Sequence, residues 1–446
     1  MRKYRILVIL LLVVSTLNAA EKNGWKQLFN GKDLSGWHQL NGKASYTVAN
    51  GEIIGTTVSD TPNSFLATDR DYGDFVLELD LLVDEEMNSG IQFRSISKPE
   101  IMNGRVHGYQ CEVDPSKRAW SAGIYDEARR GWLYTNELNP AAKTAFKHGE
   151  WNHYRIECVG NSIRTWLNGI PVSYLLDDKT SSGLIALQVH AIEKGDQPGK
   201  QIKWKNIRIK TTDPKATETP DVFVVNLLPN SLCSAEKEQG WTLLFDGQTT
   251  KGWKGLGLDQ FPNEGWKVVD GTLMSVANRP DNPVNGADIV TEEKYSSFDL
   301  QFEFNFAEGA NSGIKYFTGN GGPGIGLEYQ VLDDKRHPDA KMGVVGNRTL
   351  ASLYDLIPAD KQERFTKPAG EWNIGRIVVY PDNRMEHWLN GVKVVEYVRG
   401  STIYKALVAR SKYAGYENFG MVGEAPILIQ YHNDQVKFRS IKIKKL

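Results

Sequence analysis

The chain states one pattern twice. GEWNHYRIECVGNSIRTWLNGIPV begins at Gly149, and GEWNIGRIVVYPDNRMEHWLNGVKV begins at Gly370. Residues 24–38, 75–94 and 202–210 likewise match 240–254, 298–317 and 436–444. The offset is 216 at Trp25/Trp241, 223 at Asn88/Asn311 and 222 at Trp166/Trp388. A long, nearly constant period seen twice means tandem domains, not a solenoid. The 446 residues divide into domains over 21–211 and 240–446, each of ordinary size. The intervening 212–239 begins with Pro, Thr and charged residues, as a linker does, and its apolar VFVVNLL packs on a domain.

Inside each copy, strand follows strand. FVLELDLLV and FDLQFEFNF alternate at period two, and IKWKNIRIK does so with basic residues turned outward. WLNGIPV and WLNGVKV set Asn-Gly between two β runs. Both central residues of a type I′ turn need φ > 0, so each phrase reads as a hairpin. This alternation predicts that Trp166 and Trp388 face inward. No long amphipathic helix is present, and 42 Gly with 12 Trp suit turns and flat packing surfaces. The fold class is all-β, with a two-sheet sandwich or jelly roll in each copy.

Residues 1–20 differ in kind. MRKYR is basic, ILVILLLVVSTL is an apolar run of 12, and NAA ends on small residues. That is the anatomy of a secretory signal peptide, too short for a membrane span, so the protein is expected to be exported. An uncleaved N-terminal anchor is the alternative. No later stretch is apolar enough to be transmembrane. Loss of Arg2, Lys3 and Arg5 moves the formal charge from −1 to −4, which favours no nucleic acid partner. Cys111, Cys158 and Cys233 show no metal-like spacing. Cys111 and Cys158 lie in one domain and have the option of pairing, but buried free thiols are the expectation.

Polar residues within strand-like segments mark candidate chemistry. NSGIQFR and NSGIKYF place Gln92 and Arg94, or Lys315 and Phe317, at alternating positions. GYQCEVDP carries Gln110, Glu112 and Asp114, while GLEYQVLDD carries Glu328, Gln330 and Asp333, with Glu and Gln exchanged. Residues i and i+2 share a strand face, where carboxylate beside amide suits hydroxyl recognition, proton transfer or a hard cation. LIALQVH and PILIQYH end on His190 and His432, each two residues after a Gln; imidazole titrates near neutral pH. The segment 117–134 gathers Trp120, Tyr125, Asp126, Arg129, Arg130 and Trp132, opposite Arg336, His337, Asp339, Tyr354 and Asp355 in the second copy. Aromatic faces cover sugar C–H surfaces and ionic groups take hydroxyls, so a carbohydrate is the natural ligand. Each cluster also has a structural reading, as turn, solvated strand face or packed loop. GxSxG, HExxH, Walker and Rossmann signatures are absent from the sequence.

In order, GW-x-x-LF-[ND]-G, NSGI, the acidic strand, GEWN, WLNG and Q-x-H before a basic strand resemble the 3-keto-disaccharide hydrolase domain family, over residues 24–211 and 240–446. The resemblance implies two tandem concanavalin-like jelly rolls and a 3-keto-glycoside substrate. It implies His432 and Glu328, and His190 and Glu112, as catalytic groups. Lys315, Gln330, Asp333, Arg94, Gln110 and Asp114 stand beside them, with Asp126, Trp120 and Tyr125 from the loop. Gln110 departs from the usual Glu of the pattern, so the first copy either acts on a different substrate or only binds. A C3 ketone acidifies the C2 hydrogen, and an enolate there expels the group at C1, so the opposed carboxylate pair of ordinary glycosidases is not required. No spacing demands a metal, although carboxylate, amide and imidazole together suit a divalent cation. The competing expectation is a non-catalytic tandem lectin, since jelly rolls serve both purposes; adhesion or assembly is a third.

Overall fold

The structure, a computed structural model, describes residues 24–85, 87–218 and 221–446. The signal-like segment lies outside the described residues. Each half is a sandwich of two sheets. In the first half, a nine-stranded sheet centres on Asn152–Val159, Phe75–Val83 and Gln201–Lys210. It packs on a seven-stranded sheet that runs from Gly131–Tyr134 through Ile124–Glu127, His107–Val113, Ser89–Ile96 and Leu184–Val189 to Ser64–Thr68 and Trp37–Asn41. The second half repeats this with eight strands, centred on Val436–Lys445, Phe298–Phe306 and Asn373–Val379, against five. Those five are Trp253–Gly255, Ile289–Tyr295, Ala425–Ile429, Asn311–Tyr316 and Leu327–Leu332. Among the described residues no helix is long and apolar enough to cross a membrane.

Alternation builds both cores. Leu77, Leu79, Leu81, Ile156 and Ile163 meet Ile91, Phe93, Tyr109 and Cys111 from the facing sheet. Leu300, Phe302, Phe304 and Ile377 meet Ile314, Tyr329 and Val331 in the second copy. Cys111 and Cys158 are both buried and free.

The repeated phrase is scaffold. Asn168 and Gly169 have φ of 51° and 80°, and Asn390 and Gly391 have 48° and 78°, as the hairpin turn requires. GEWN and WLNG recur together because their asparagines bond each other. Asn168 Nδ2 donates to Asn152 Oδ1 and Asn390 Nδ2 to Asn373 Oδ1, both at 2.8 Å. Trp166 and Trp388, however, do not point inward. The core positions of those strands are Ile163 and Leu167, or Met385 and Leu389. The tryptophans take the alternate positions on the outer face, beneath Arg155 at 6.0 Å and Arg376 at 5.2 Å. A flat ring satisfied by a guanidinium needs no core position.

The segment between the repeats is also structured. Val224–Asn226 pairs in parallel with Ile170–Leu176, extending the first copy's sheet, and Ser234–Glu238 forms a short helix. The domains touch through Phe365, whose ring lies 5.5 Å from Trp120, and through Thr135 Oγ1, which donates to Gly391 O.

Candidate functional site

In the C-terminal domain the Asn311–Tyr316 and Leu327–Leu332 strands pair with Lys315 opposite Glu328 and Gly313 opposite Gln330. Ile314, Tyr316, Tyr329 and Val331 point into the core. Lys315, Glu328 and Gln330 therefore share the outer face, the period-two consequence of the pleat. Gly313 is needed there: a Cβ on it would meet Glu328 Oε1 at 2.2 Å. The face floors a pocket of about 310 Å³, within the range of small-ligand sites, with Gln430 and His432 from the neighbouring strand and its end. Tyr354, Lys412, Tyr413 and Tyr416 enter from two loops.

Glu328 is the buried carboxylate at the centre. Burial raises its pKa, opposed by the nearby Lys315 and Lys412 ammoniums. Gln330 is the side chain beside it; with the amide turned so that Nε2 faces the carboxylate, it donates to Glu328 Oε1 and to Ser312 O, each at 3.2 Å. Lys315 Nζ donates to Gly324 O at 3.3 Å, and Lys412 Nζ lies 4.1 Å above the Tyr354 ring. His432 sits at the rim with Asp434 3.9 Å from its Nδ1. That carboxylate raises the imidazole pKa. His337 stands beside it, ring centroids 6.0 Å apart, and burial lowers its pKa. The ligand atoms of His337, His432 and Asp434 lie within 4.8 Å of one another. Two imidazoles and a carboxylate are a donor set suited to a borderline divalent cation.

The N-terminal domain carries a related pocket of about 440 Å³ around Asn88, Gln110, Glu112, Gln188 and His190. The strand register matches: Gln92 lies opposite Gln110 and Gly90 opposite Glu112. Where the second copy has Lys315 and Glu328, the first has two amides. Its carboxylate sits two residues further along the strand. Gln92 Nε2 donates to Gln110 Oε1 at 2.6 Å, Gln110 Nε2 to Glu112 Oε2 at 2.9 Å, and Asn88 Nδ2 to Glu112 Oε1 at 2.6 Å. Burial pushes Glu112 up to about 7. Among the described residues no carboxylate pairs with His190 as Asp434 does with His432; its Nδ1 lies 2.6 Å from Ala191 O.

Of the residues singled out in the sequence, Lys315, Glu328, Gln330 and His432 line one pocket, and Gln110, Glu112, Tyr125 and His190 the other. Several others do not reach either pocket. Arg94 has φ of 44°, a bulge that breaks the strand alternation and turns its guanidinium inside, donating to Gly73 O, Gly160 O and Asp74. Phe317, at the matching position with φ of 50°, drops into the core for the same reason. Asp126 is wholly buried between Arg129 and Arg130, at 2.7 and 2.5 Å. Asp114 accepts from Arg118, and Asp333 closes a turn by accepting from Gly309 N and Lys335 N. Trp120 is buried, donating to Glu137 and packing on Phe365 of the other domain.

Asp434, Lys412, Tyr413 and Tyr416 were not anticipated. The last three belong to an insertion confined to the second copy, between Val398 and Ala425. Its trace in the sequence is the offset between copies, which moves from 222 at Trp166/Trp388 to 242 at His190/His432.

Residues 24–210 and 240–444 each match the family described as 3-keto-alpha-glucoside-1,2-lyase-like domain. A curated relative, the 3-keto-disaccharide hydrolase of Bacteroides thetaiotaomicron, is 35% identical over 232 residues, covering 46% of this chain and 79% of the relative. Among solved structures, one from Parabacteroides distasonis titled as a candidate glycosyl hydrolase is 29% identical, covering 49% of this chain and 99% of its own, with a TM-score of 0.43. The carbohydrate-binding module CBM66 of Bacillus subtilis is 17% identical, over 39% of this chain and 95% of its own, with a TM-score of 0.29. Both halves of the chain thus belong to the 3-keto-alpha-glucoside-1,2-lyase-like family, whose members are enzymes acting on 3-keto-sugars.

Proposed function

We propose that the C-terminal domain cleaves 3-keto-glucosides by proton abstraction at C2 and loss of the C1 substituent, in an exported protein. The observation that carries this reading is the sparsely hydrogen-bonded, buried Glu328 facing Lys315 within one pocket. A carboxylate held above its ordinary pKa is a competent base for a C–H made acidic by the neighbouring ketone. As the proton leaves C2, negative charge moves onto the C3 oxygen, where the Lys315 and Lys412 ammoniums stabilise it. His432, whose pKa Asp434 raises, gives a proton to the departing C1 oxygen. The enone so formed is released or takes up water.

His337, His432 and Asp434 would hold a divalent cation if one binds, supplying positive charge at that rim in place of the imidazolium. Prolonged chelation followed by assay separates the two forms of the site. Loss restored by one metal assigns the cluster to an ion, whereas unchanged turnover assigns His432 to proton transfer.

The test pairs a chromogenic 3-keto-glucoside with its unoxidised parent. Release is expected from the oxidised compound alone. His432→Ala is expected to lower that rate by about 10²-fold or more, and His190→Ala to leave it within two-fold. Release from neither compound, or loss of turnover with His190→Ala alone, sinks the assignment to the C-terminal domain.

A further inference from the structure

The N-terminal pocket is closed on one side by the other domain. Arg364, in the short turn Glu363–Phe365 of the C-terminal domain, lines it alongside Glu112, Trp132, Gln188 and His190. Phe365 anchors that turn in the N-terminal domain by packing on Trp120, while Asn390 Nδ2 donates to Phe365 O at 2.7 Å and ties it to its own domain. The Arg364 guanidinium lies 4.8 Å above the Phe365 ring, and its Nε donates to Gln362. The segment is therefore held from both sides, with the charged group presented to the pocket.

The lining is that of a sugar site without the machinery of the C-terminal one. The lysine opposite the central carboxylate is replaced by Gln92, and among the described residues no His-His-Asp cluster lies beside His190. Trp132 and Tyr125, with ring centroids 5.2 Å apart, offer flat apolar faces. Gln188 is wholly buried, lines the pocket, and has neither amide atom hydrogen-bonded among the described residues. An unsatisfied buried amide carries a cost that a ligand hydroxyl relieves.

The charges decide the class of sugar. Arg105 is paired with Glu127 at 3.1 Å and Arg118 with Asp114 at 2.7 Å. Glu112 has an amide N–H on each oxygen, and burial pushes it up to about 7, which favours its neutral acid over a competing negative charge. Among the described residues Arg364 has no carboxylate partner, so one guanidinium remains uncompensated at the pocket wall. A planar fork of donors in that position matches a carboxylate or a sulfate.

We propose that the pocket around Glu112 and His190 is a second carbohydrate site that takes a sugar bearing one acidic group, and that Arg364 of the C-terminal domain reads that group. The first copy then works as a recognition domain, completed only when the second copy is docked on it.

Calorimetric titration of the full chain with methyl glucuronide, glucose 6-sulfate and methyl glucoside tests this without using the oxidised substrate, so it stands or falls separately from the cleavage assay. An acidic sugar is expected to bind about ten-fold or more tightly than methyl glucoside, and Arg364→Gln to abolish that preference. Arg364→Lys is expected to restore part of it. Cleavage of the 3-keto-glucoside should be unchanged in both variants. Tighter binding of the glucuronide identifies a carboxylate ligand, and tighter binding of the sulfate a sulfated one; either supports the site. Equal affinity for acidic and neutral sugars, no binding of any of the three, or an acid preference that survives Arg364→Gln overturns it.

Discussion

Glu328→Gln is expected to lower kcat on a 3-keto-glucoside by about 10²- to 10⁴-fold while leaving KM within a few-fold. The substitution keeps the shape of the side chain and its contact with Gln330, and removes only the capacity to take a proton. The first copy shows that this site tolerates the amide, because Gln110 occupies the same register position there without disturbing the sheet. A structural cause for lost activity is therefore excluded if circular dichroism and the thermal midpoint match wild type. Lys315→Met probes the same carboxylate from the other side. Lys315 opposes the upward push of burial on Glu328; without it the carboxylate pKa rises further. The acid limb of kcat/KM should then move to higher pH. An unmoved limb, or Glu328→Gln with near wild-type kcat, would show that proton abstraction occurs elsewhere, with Glu112 the next carboxylate to test.

The expectations from sequence succeeded where local chemistry decides the outcome. Asn-Gly turns must adopt positive φ, and Asn168, Gly169, Asn390 and Gly391 do. Strict alternation placed Lys315, Glu328 and Gln330 on one face because the two strands carrying them are regular and pair without a register shift. It failed at Arg94 and Phe317, where a single left-handed residue in each copy reverses the side of the sheet. The tryptophans of the repeat were misassigned for a different reason. Their partners Arg155 and Arg376 are local in space, yet nothing in a hydropathy pattern separates a ring stacked under arginine from one in a core. Asp126 looked like a binding residue, but Arg129 and Arg130, three and four positions on, consume its charge. Trp120 was expected to bind sugar and Arg364 was not singled out at all. Their roles depend on one domain resting on the other, and no motif within either copy encodes that contact.

Lys442→Ala is expected to destabilise the protein at neutral pH by about 3–5 kcal/mol, read from denaturant unfolding. Lys442, on the last strand of the C-terminal domain, pairs with Glu236 of the short helix between the repeats, and both side chains are under 5% exposed. The other oxygen of Glu236 accepts from Asn226 Nδ2 at 2.7 Å and Cys233 N at 2.9 Å. Asn226 ends the strand added to the N-terminal sheet. One carboxylate therefore joins the two sandwiches. Burial by itself would raise the Glu236 pKa, but Lys442 overrides it and the net shift is downward. In the wild type this contribution is present above the unfolded carboxylate pKa and is lost as pH falls through the lower folded value. In Lys442→Ala only the Asn226 and Cys233 hydrogen bonds still oppose burial, so the folded pKa rises above its wild-type position. The deficit is then largest at neutral pH and shrinks on acidification as Glu236 takes up a proton. Loosening this joint should also let the two domains unfold in separate calorimetric transitions. Lys215→Ala provides the contrast: its pair with Asp213 is 80% exposed on both sides, and no measurable change is expected. If Lys442→Ala unfolds at the wild-type midpoint at pH 7, the ion pair does not join the domains. The packing of Phe365 on Trp120 and the Thr135–Gly391 hydrogen bond would then hold the N-terminal pocket closed.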